Sequence, residues 1–377
     1  MRVLITGGGT AGHVNPALAI ADAILARDNG AIIEYVGTEK GIEGRLVKKR
    51  GMTFHAIEVM GLKRSLSFAN VKALAQAFSA RERCKTIIRE FAPDVVIGTG
   101  GYVCWPLISA ASSMKIPTVL HEANVEPGFA IKTLQKKTDL ILVNFEDTKK
   151  WLKGAKNRVL RVGMPVNKEF YTLNAKRSAK ELCEPEAEKE FRILSFGGSL
   201  GARNLNLAVL SLMKNYVCHN KEVIIEHACG AREYEYIRSL FCQAGLDRYS
   251  NIHLWEYIYD MPSKMARADL VISRSGASTL AELAAAGKAS VLIPSPNVTG
   301  DQQRKNARAL ADKNAAAVIE DGDAESVLSD TVRALIEGRA QPSLREMQNN
   351  VRAFAMEACD DRIYESVCEL IGRKKEV

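Results

Sequence analysis

The sequence lacks the features that mark several common classes of protein. Its eight cysteines include no CxxC pair, which argues against a zinc ribbon or a dithiol redox site. The longest uncharged stretch, residues 95–114, contains GTGG, a proline and three serines, so we interpret it as strand, loop and helix and not as a membrane span. The N-terminus, MRVLIT, runs directly into a glycine-rich turn without the pattern of a secretory signal. We therefore expect reduced cysteines and a cytosolic chain.

The composition is that of an ordinary globular protein. The 377 residues are 47% hydrophobic and 25% charged, which excludes disorder, a collagen-like repeat and a coiled coil, and the length predicts about two domains. The formal net charge of +8 is uneven, because residues 1–162 hold 24 basic and 14 acidic side chains and residues 163–377 hold 28 and 30. We expect an anionic partner for the first half, which can be nucleic acid, an acidic membrane surface or a phosphorylated substrate.

Short apolar runs alternate with helical patterns, and the alternation starts again at residue 191. This order predicts an α/β fold with two doubly wound, Rossmann-like domains, 1–162 and 163–343, joined through residues 163–190. The tail, 344–377, is predicted to be a helix that packs back on either domain. Ligands bind at the carboxyl ends of the strands in such sheets, so we expect the site in a cleft between the domains. The predicted strands are Arg2–Thr6, Ile32–Val36, Phe54–Ile57, Asp94–Ile97, Thr118–Leu120, Leu140–Val143, Phe191–Phe196, Val223–Glu226, His253–Trp255, Leu270–Ser273 and Val291–Ile293.

The first glycine-rich loop, residues 7–12, has two interpretations beside that of a plain tight turn. Gly7, Gly9 and Gly12 match the dinucleotide fingerprint, and Glu34 lies 22 residues after Gly12, so an NAD-dependent dehydrogenase is an alternative. The same glycines and the helix N-terminus behind them suit any phosphate. His13 follows directly and is a candidate for proton transfer, although a helix-capping or packed histidine is also possible.

A second glycine-rich loop, residues 197–201, opens the second domain. One such loop in each domain suits a nucleotide-sugar transferase, in which donor and acceptor both carry phosphate. Ser199 can donate to a phosphate oxygen or cap the following helix.

The segment 273–282 is the third candidate. Its hydroxyls and backbone amides suit a diphosphate, and Glu282 suits the hydroxyls of a ribose. The alternative is a capping box in which Ser278 or Thr279 pairs with Glu282. Arg274 is either the counter-charge of a leaving diphosphate or part of a surface salt bridge.

Three further segments follow predicted strands. Gln302 and Gln303 can contact sugar hydroxyls or begin a solvated helix. The segment 98–102 ends in Tyr102, and the segment 121–124 offers Glu122 as an acid or base, or as part of a loop hydrogen-bond network.

Taken together, the motifs resemble a known family. GGGTAGHVNPALAIA, GTGGYV, LHEAN, GGSLGARNLN, RSGASTLAELAAAGKASVLIPSP and DQQRKNA occur in the order of the MurG family of peptidoglycan N-acetylglucosaminyltransferases. The resemblance spans residues 1–321. It implies a GT-B fold and transfer of N-acetylglucosamine from UDP-N-acetylglucosamine to the 4-hydroxyl of the muramoyl sugar of lipid I, with inversion, to form lipid II.

The resemblance also implies roles for residues. His13 matches the histidine proposed as catalytic in the family. The chemistry of an inverting transfer makes His13 the favoured base and Glu122 the second choice, and we expect Arg274 and the helix N-termini at Ser199 and Ser278 to stabilise the departing UDP. Glu282 would hold the ribose, Gln302 and Gln303 the sugar, and the backbone of Ile258 the uracil. The implied substrate contacts are Thr10, Ala11, Gly12, Tyr102, Asn124, Ser199, Ile258, Ala277, Ser278, Thr279, Leu280, Ala281, Glu282, Gln302 and Gln303. Asn167 stands where many members have an arginine, so that donor contact is not transferred. No DxD-type pair lies in a suitable loop, and we expect no metal ion and no cofactor.

The lipid-linked acceptor makes the basic first half relevant. An amphipathic segment with a basic rim predicts peripheral attachment to the cytoplasmic face of an anionic membrane, although an ordinary surface helix has the same pattern. Its residues are Leu62, Lys63, Arg64, Leu66, Phe68, Val71, Lys72, Leu74, Phe78, Arg81, Arg83 and Lys85, with Lys132, Lys136, Lys137, Lys149 and Lys150 as an extension. A UDP-sugar epimerase of the same fold remains an alternative to the transferase. We expect no nucleic-acid partner, because no RNA-binding motif or aromatic platform is evident.

Overall fold

The computed structural model describes residues 1–61, 68–155, 158–173 and 190–375, with the side chains of 68–72 and of residue 375 left out. The chain forms two compact units. The first contains Met1–Pro165 and Ala358–Val377, and the second contains Val166–Glu357. The division after Pro165 lies three residues beyond the predicted boundary. Most of the predicted junction, 174–189, lies outside the described residues.

The first unit is built on a parallel sheet of seven strands in the order β3-β2-β1-β4-β5-β6-β7. Its central strands are continuous apolar runs, as expected for strands buried on both faces. The strands are β1 (Arg2–Thr6), β2 (Ile32–Gly37), β3 (Phe54–Ala56), β4 (Val95–Gly98), β5 (Thr118–Glu122), β6 (Leu140–Val143) and β7 (Arg158–Arg161). The helices are α1 (Ala11–Leu25), α2 (Ile42–Lys49), α3 (Phe68–Phe91), α4 (Cys104–Ser113) and α5 (Phe129–Leu134), and a short 3₁₀ segment covers Glu146–Trp151.

The second unit has the same design with a parallel sheet of six strands in the order β10-β9-β8-β11-β12-β13. The strands are β8 (Phe191–Phe196), β9 (Val223–Ala228), β10 (Ile252–Trp255), β11 (Leu270–Ser273), β12 (Ala289–Leu292) and β13 (Ala317–Val318). The helices are α6 (Arg203–Asn215), α7 (Tyr234–Gln243), α8 (Met261–Arg267), α9 (Ala277–Ala286), α10 (Gln302–Ala311), α11 (Ala324–Ile336) and α12 (Leu344–Val351). Three-residue 3₁₀ turns lie at Val217–His219, Leu246–Arg248 and Thr299–Asp301.

Strand order determines where each unit can bind a ligand. In the first sheet the order reverses between β1 and β4, and in the second it reverses between β8 and β11. Loops that leave neighbouring strands at such a point diverge and open a crevice at the carboxyl ends of the strands. We call the loops there the first edge (residues 7–13, 99–103 and 123–128) and the second edge (residues 197–202, 256–258, 274–282 and 294–303).

The tail differs from the single helix that the sequence predicted. Helix α12 begins with a capping box between Ser343 and Glu346 and contacts β12 of the second unit. A 3₁₀ turn at Arg352–Phe354 ends it, and a separate helix, α13 (Cys359–Lys375), packs on α1 of the first unit. The break is needed because the two halves of the tail belong to different units.

None of the described helices combines the length and the apolar character needed to cross a membrane.

Candidate active site

The first edge is closely packed by the protein's own groups. Gly8 N donates to Gly100 O at 3.3 Å, and Thr99 Oγ1 donates to His13 O at 2.7 Å. A Cβ added at Gly7 would overlap Thr99 Oγ1 and lie 2.7 Å from His13 O. The loops after β1 and β4 therefore lie against each other with no room for side chains between them.

His13 lies at the start of α1 with one ring nitrogen engaged. Its Nδ1 lies 3.1 Å from Gly8 O and 3.2 Å from Thr10 Oγ1. Because a carbonyl only accepts hydrogen bonds, Nδ1 carries the proton and Nε2 carries the lone pair of the neutral ring. Burial lowers the pKa of His13, against the carbonyl of Gly8 and the charge of Glu43, which raise it. The side chain is thus a neutral imidazole with a basic Nε2.

The rest of the loop after β1 is open. Ala11 and Gly12 are exposed in the first turn of α1, where backbone amides have no intrahelical acceptor. Thr10 is the N-cap residue, but its side chain does not cap the helix. Tyr102 is half-buried, and its ring is so close to Gly9 that a Cβ there would lie 2.8 Å from Cε1. The amides at 11 and 12 are therefore available to an anion.

Glu122, the second candidate base, is engaged throughout. It is buried at the end of β5, where Oε1 accepts from Asn124 N at 2.9 Å and Asn124 Nδ2 at 3.0 Å. Its Oε2 accepts from Gly128 N at 2.9 Å. Burial raises the pKa of Glu122, while these donors lower it. The structure thus places Glu122 in a loop hydrogen-bond network, which is one of its two predicted roles: it holds the loop that leads into α5, and Asn124 is one of its donors. A role as acid or base stays a prediction.

Glu34, on which the dehydrogenase alternative depended, pairs with His55 on the neighbouring strand β3. It lies three residues before the end of β2, opposite Leu4. A ribose-binding acid belongs at the carboxyl end of this strand. The position and the pairing of Glu34 both argue against nucleotide recognition there.

Sequence reasoning missed two residues under the first loop. Glu43 on α2 is fully buried, and its Oε2 accepts from Gly9 N at 3.2 Å. Tyr35 on β2 donates its hydroxyl to Gly7 O. The only signal for Glu43 was an acid in the first turn of the helix that follows β2, which is common at helix starts in general.

The second edge begins with the loop 197–201. Gly198 and Gly201 have positive φ values of 93° and 87°, and Ser199 is exposed. Ala231 N donates to Ser199 O at 3.3 Å. Helix α6 begins at Arg203 after Ala202, so Ser199 lies before the helix and is not its cap, contrary to one of the two predicted roles.

Helix α9 begins at Ala277 after Gly276, a residue that has no side chain with which to cap it. The predicted capping box with Glu282 is therefore absent at this helix start. Ser278 and Thr279 are half-buried in the first turn, where the amides lack intrahelical acceptors. Leu280 is buried in the core, so of the predicted contacts 277–282 its side chain does not face the edge.

Glu282 lies in the second turn of α9 and accepts no hydrogen bond from any residue that the structure describes. Burial raises its pKa from 4.5 to about 7. Glu282 is half-buried, and a carboxyl group that loses part of its hydration without gaining a donor costs free energy. Such a group is typical of a site that is completed by a ligand with hydroxyl donors.

Arg274 is compensated within the second unit. Its Nη1 donates to Ile293 O at 2.9 Å and forms an ion pair with Asp321, and the side chains are 13% and 11% exposed. Arg274 was predicted to neutralise a diphosphate or to lie in a surface salt bridge. The structure shows a salt bridge that is largely buried and not at the surface. A role of Arg274 towards a diphosphate stays a prediction.

The two glutamines differ. Gln303 Oε1 accepts from Ser295 N at 2.8 Å, so this oxygen holds the loop after β12, and the predicted contact of Gln303 with a sugar stays a prediction. Gln302 Oε1 is buried and has no partner among the described residues. Gln302 follows Gly300 and Asp301 in the sequence, and the backbones of these two residues are in the left-handed region, with φ values of 75° and 56°.

Two predicted positions have plain local settings. The side chain of Ile258 is buried, which leaves only its backbone for a ligand. Asn167 Oδ1 accepts from Glu169 N at 3.0 Å, in a local turn. Within the described ranges there is no group of three or more His, Cys, Asp or Glu side chains that can hold a metal ion.

Comparisons with known proteins identify the family of the chain. The Glycosyltransferase family 28 N-terminal domain matches residues 3–143, and the C-terminal domain of the same family matches residues 192–363. The chain belongs to glycosyltransferase family 28. The predicted GT-B fold of this family 28 chain is confirmed, and the chain is a glycosyltransferase.

Individual relatives show which members of family 28 this chain resembles. A protein of Acetivibrio thermocellus is 38% identical over 375 residues, 99% of each chain. Its name is UDP-N-acetylglucosamine--N-acetylmuramyl-(pentapeptide) pyrophosphoryl-undecaprenol N-acetylglucosamine transferase. The crystal structure of Acinetobacter baumannii MurG is 28% identical, with a TM-score of 0.78 over 98% of this chain and 99% of that one. The predicted membership of the MurG family is confirmed.

A UDP-GlcNAc 2-epimerase from Neisseria meningitidis also superposes, with a TM-score of 0.63 over 98% of this chain and all of that one. At 16% identity it shows only that the fold is shared. The epimerase alternative is therefore not favoured.

Proposed function

We propose that the protein transfers N-acetylglucosamine from UDP-N-acetylglucosamine to the 4-hydroxyl of the muramoyl sugar of lipid I, the undecaprenyl-diphosphate-linked MurNAc-peptide, and so forms lipid II for peptidoglycan synthesis. The name of the Acetivibrio thermocellus relative supports this substrate pair. One structural observation carries the proposal: Glu282 is a half-buried carboxyl group and Gln302 Oε1 a buried amide oxygen, neither has a partner in the described structure, and both belong to the second edge.

The second edge fits a uridine diphosphate sugar. Glu282 accepts hydrogen bonds from the ribose hydroxyls, and Gln302 Oε1 accepts one from a hydroxyl of the sugar. The uncapped first turn of α9 presents amides and the positive end of the helix dipole to the diphosphate. Because Arg274 is paired with Asp321, this helix end takes over the stabilisation of UDP that was first assigned to the arginine.

The first edge supplies the base. His13 Nε2 takes the proton of the 4-hydroxyl as its oxygen forms a bond to the anomeric carbon of N-acetylglucosamine. The bond from that carbon to the diphosphate oxygen breaks, and UDP leaves with the electron pair. His13 then releases the proton to water, and attack from the face opposite to UDP inverts the anomeric centre.

The function is tested with purified full-length protein, labelled UDP-N-acetylglucosamine and a lipid I analogue, without added metal and with a chelator present. We expect labelled lipid-linked disaccharide and release of one UDP for each transfer. Release of UDP that does not depend on the acceptor would indicate the epimerase instead. Hydride transfer to NAD in place of sugar transfer would indicate the dehydrogenase. Either result would contradict the proposal.

We further propose that the first unit attaches peripherally to an anionic membrane, at the cytoplasmic face. Its exposed apolar side chains support this. Leu74 and Phe78 are 50% and 59% exposed on one face of α3, while Ala80 and Cys84 of the same helix are buried in the core. Phe129 at the start of α5 is 71% exposed. These side chains are suited to the interface of a bilayer. The predicted positions 62–67 lie outside the described residues, as do the side chains of 68–72.

Much of the predicted basic extension is paired with acidic neighbours. Lys132 pairs with Glu126, Lys149 with Glu146 and Lys150 with Asp147. Arg81 and Lys85 share Glu82. We therefore expect apolar insertion to contribute more to membrane binding than charge does.

The attachment is tested by sedimentation with vesicles of phosphatidylglycerol and phosphatidylcholine. We expect Phe78→Ser to lower the bound fraction several-fold and high salt to lower it less. Val327→Ser, an exposed apolar position on α11 of the second unit, is the matched control and should bind as the wild type does. Equal binding of the Phe78 variant and the wild type would contradict apolar insertion.

A further inference from the structure

Glu43 is a buried acid that the reaction as described so far does not use. It lies in the first turn of α2 and is fully buried. Its Oε1 accepts from Thr38 Oγ1 and from Thr38 N at 3.2 Å, and its Oε2 accepts from Gly9 N at 3.2 Å. A buried carboxylate survives only when donors surround it, and here one of those donors is the first glycine-rich loop itself.

The surrounding backbone is shaped to the carboxyl group. A Cβ at Gly8 would lie 2.7 Å from Glu43 Cδ, and a Cβ at Gly37 would lie 2.8 Å from Glu43 Cγ. A Cβ at Gly41 would overlap both carboxylate oxygens. The backbone at Gly8, Gly37 and Gly41 thus lies so close to Glu43 that only glycine fits at these three positions. The amide of Gly9, which a glycine-rich loop would normally offer to a phosphate, is already occupied from within the protein.

The same loop residue that packs on Glu43 also orients the base. Gly8 O accepts from His13 Nδ1 at 3.1 Å, and Gly8 N donates to Gly100 O. Rotation of the Gly8–Gly9 peptide would break the hydrogen bond from His13 Nδ1 to Gly8 O. The proton of His13 would then no longer be fixed on Nδ1. A continuous series of contacts therefore links Glu43 on α2, through the backbone of Gly8, to His13 at the start of α1.

Other titratable groups surround this loop. They are Tyr35 on β2, and Tyr102 and Cys104 after β4. Burial raises the pKa of Tyr35 and raises the pKa of Cys104 to about 12, so both are neutral at neutral pH. The negative charge of Glu43 is the charge that raises the pKa of His13.

We propose that Glu43 is a positioning residue for the transfer reaction, which holds the Gly8–Gly9 peptide so that His13 keeps its proton on Nδ1 and its lone pair on Nε2. The inference rests on the proposed function for its catalytic meaning. The coupling between Glu43 and His13 is a property of the folded chain and can be measured without any substrate.

The first experiment follows the titration of His13 by NMR of histidine-labelled full-length protein, assigned with a His13→Gln variant among the six histidines. In Glu43→Gln the charge is lost and the shape is kept, so the midpoint of His13 should fall by about one pH unit. Glu39→Gln is the matched control, because Glu39 is an exposed glutamate that precedes the same helix and pairs with Lys48. It should leave the midpoint unchanged. An unchanged midpoint in Glu43→Gln, or an equal shift in Glu39→Gln, would overturn the proposal.

The second experiment measures transfer kinetics across pH. In Glu43→Gln we expect kcat to fall about tenfold or more, the KM for the UDP-sugar to stay within twofold, and the acid limb of kcat to move to lower pH. Glu43→Asp keeps the charge and should retain the position of the limb at a reduced kcat, and it is the variant to measure if Glu43→Gln does not fold. A purely structural role would lower the amount of active enzyme without moving the limb, and that result would refute the proposal. Absence of transfer by the wild type would refute the proposed function instead and would leave the NMR test decisive for Glu43.

Discussion

The two edges start from the same kind of chain, a buried strand that ends in small residues before a helix, and they end in opposite states. At the first edge, Glu43 and Tyr35 from neighbouring elements occupy Gly9 N and Gly7 O of the loop after β1, and only the amides of the first turn of α1 stay open. At the second edge, the first turn of α9 is uncapped, and Glu282 and Gln302 Oε1 lack partners within the described structure.

The difference separates two tasks that look alike in sequence. A preorganised general base has to be held within a few tenths of an ångström, so the loop that carries His13 is packed from below by the protein. A donor that enters and leaves needs groups that are satisfied only when it is bound. The glycine-rich loop of the first edge is therefore a packed support for the base, whereas the second edge offers unpaired acceptors to a ligand.

The largest effect is expected at the first edge. His13→Ala should lower kcat by about 10²- to 10⁴-fold, because the general base is lost. The Kd for the UDP-sugar should stay within about twofold, since the donor groups belong to the second unit. Steady-state kinetics and calorimetric titration of the donor check the two halves of this prediction. His219→Ala, an exposed histidine after α6, is the control. A His13 variant that keeps a tenth or more of the wild-type kcat would remove the base from this edge.

The buried ion pair of the second unit should matter for folding and not for chemistry. Removing one partner of such a pair leaves an uncompensated charge, so Arg274→Ala should cost about 3 kcal/mol of stability. In the double variant with Asp321→Ala, part of that loss should be recovered. Urea unfolding measures both effects. If the folded Arg274 variant lost more than about tenfold in kcat, the arginine would act on the diphosphate after all.

An added methyl group should change stability differently at the two edges. Gly7→Ala places Cβ against Thr99 Oγ1 and His13 O and should cost about 1–3 kcal/mol. Gly276→Ala meets nothing within 4 Å and should change stability by less than about 1 kcal/mol. Thermal unfolding of the two variants side by side gives the comparison. Equal losses would mean that the second edge is as tightly packed as the first.

Substitution of Glu282 should change stability with the opposite sign. Its pKa in the folded chain is raised from 4.5 to about 7, so the folded state disfavours the charged form. That contribution is absent below pH 4.5, grows as pH rises towards 7 and is constant above it. Glu282→Gln should therefore be more stable than the wild type at pH 8, by about 1–2 kcal/mol, and no more stable at pH 4.

The same variant should bind UDP-N-acetylglucosamine about tenfold more weakly, since a charged acceptor for the ribose is lost. Glu325→Gln, an exposed position in the first turn of α11, is the control for both measurements. Loss of stability in Glu282→Gln at pH 8 would show that the carboxylate has a partner in the folded chain.

Much of the fold was accessible from the apolar runs. The strands Arg2–Thr6, Phe191–Phe196 and Leu270–Ser273 have the predicted bounds, because each is a short, mostly apolar run that leads into a turn of small residues. The edge strands β7 and β13 were missed. One is bounded by arginines and the other has only two residues, so neither gives the signal of a buried strand.

The sequence predicted which types of residue lie at the candidate site. It did not predict which of their polar atoms already have partners within the protein. Glu122, Arg274 and Gln303 carry the right chemistry, but their polar atoms are used by Asn124, Asp321 and Ser295. Arg274 and Asp321 are 47 positions apart, and Glu43 is 34 positions from Gly9. Only the fold shows which polar groups have found partners, and that distinction separates the support of a site from its contact surface.

The end of the chain has a consequence for synthesis. Helix α13 packs on α1 and ties to the first unit through pairs of Arg158 with Glu369 and of Lys374 with Asp139. The first unit is thus completed by a segment that follows the whole second unit in the chain. The second unit, Val166–Glu357, is continuous and is made before α13. A truncation at residue 357 would therefore remove the helix that packs on α1, and during synthesis α1 gains this partner only after the second unit has been made.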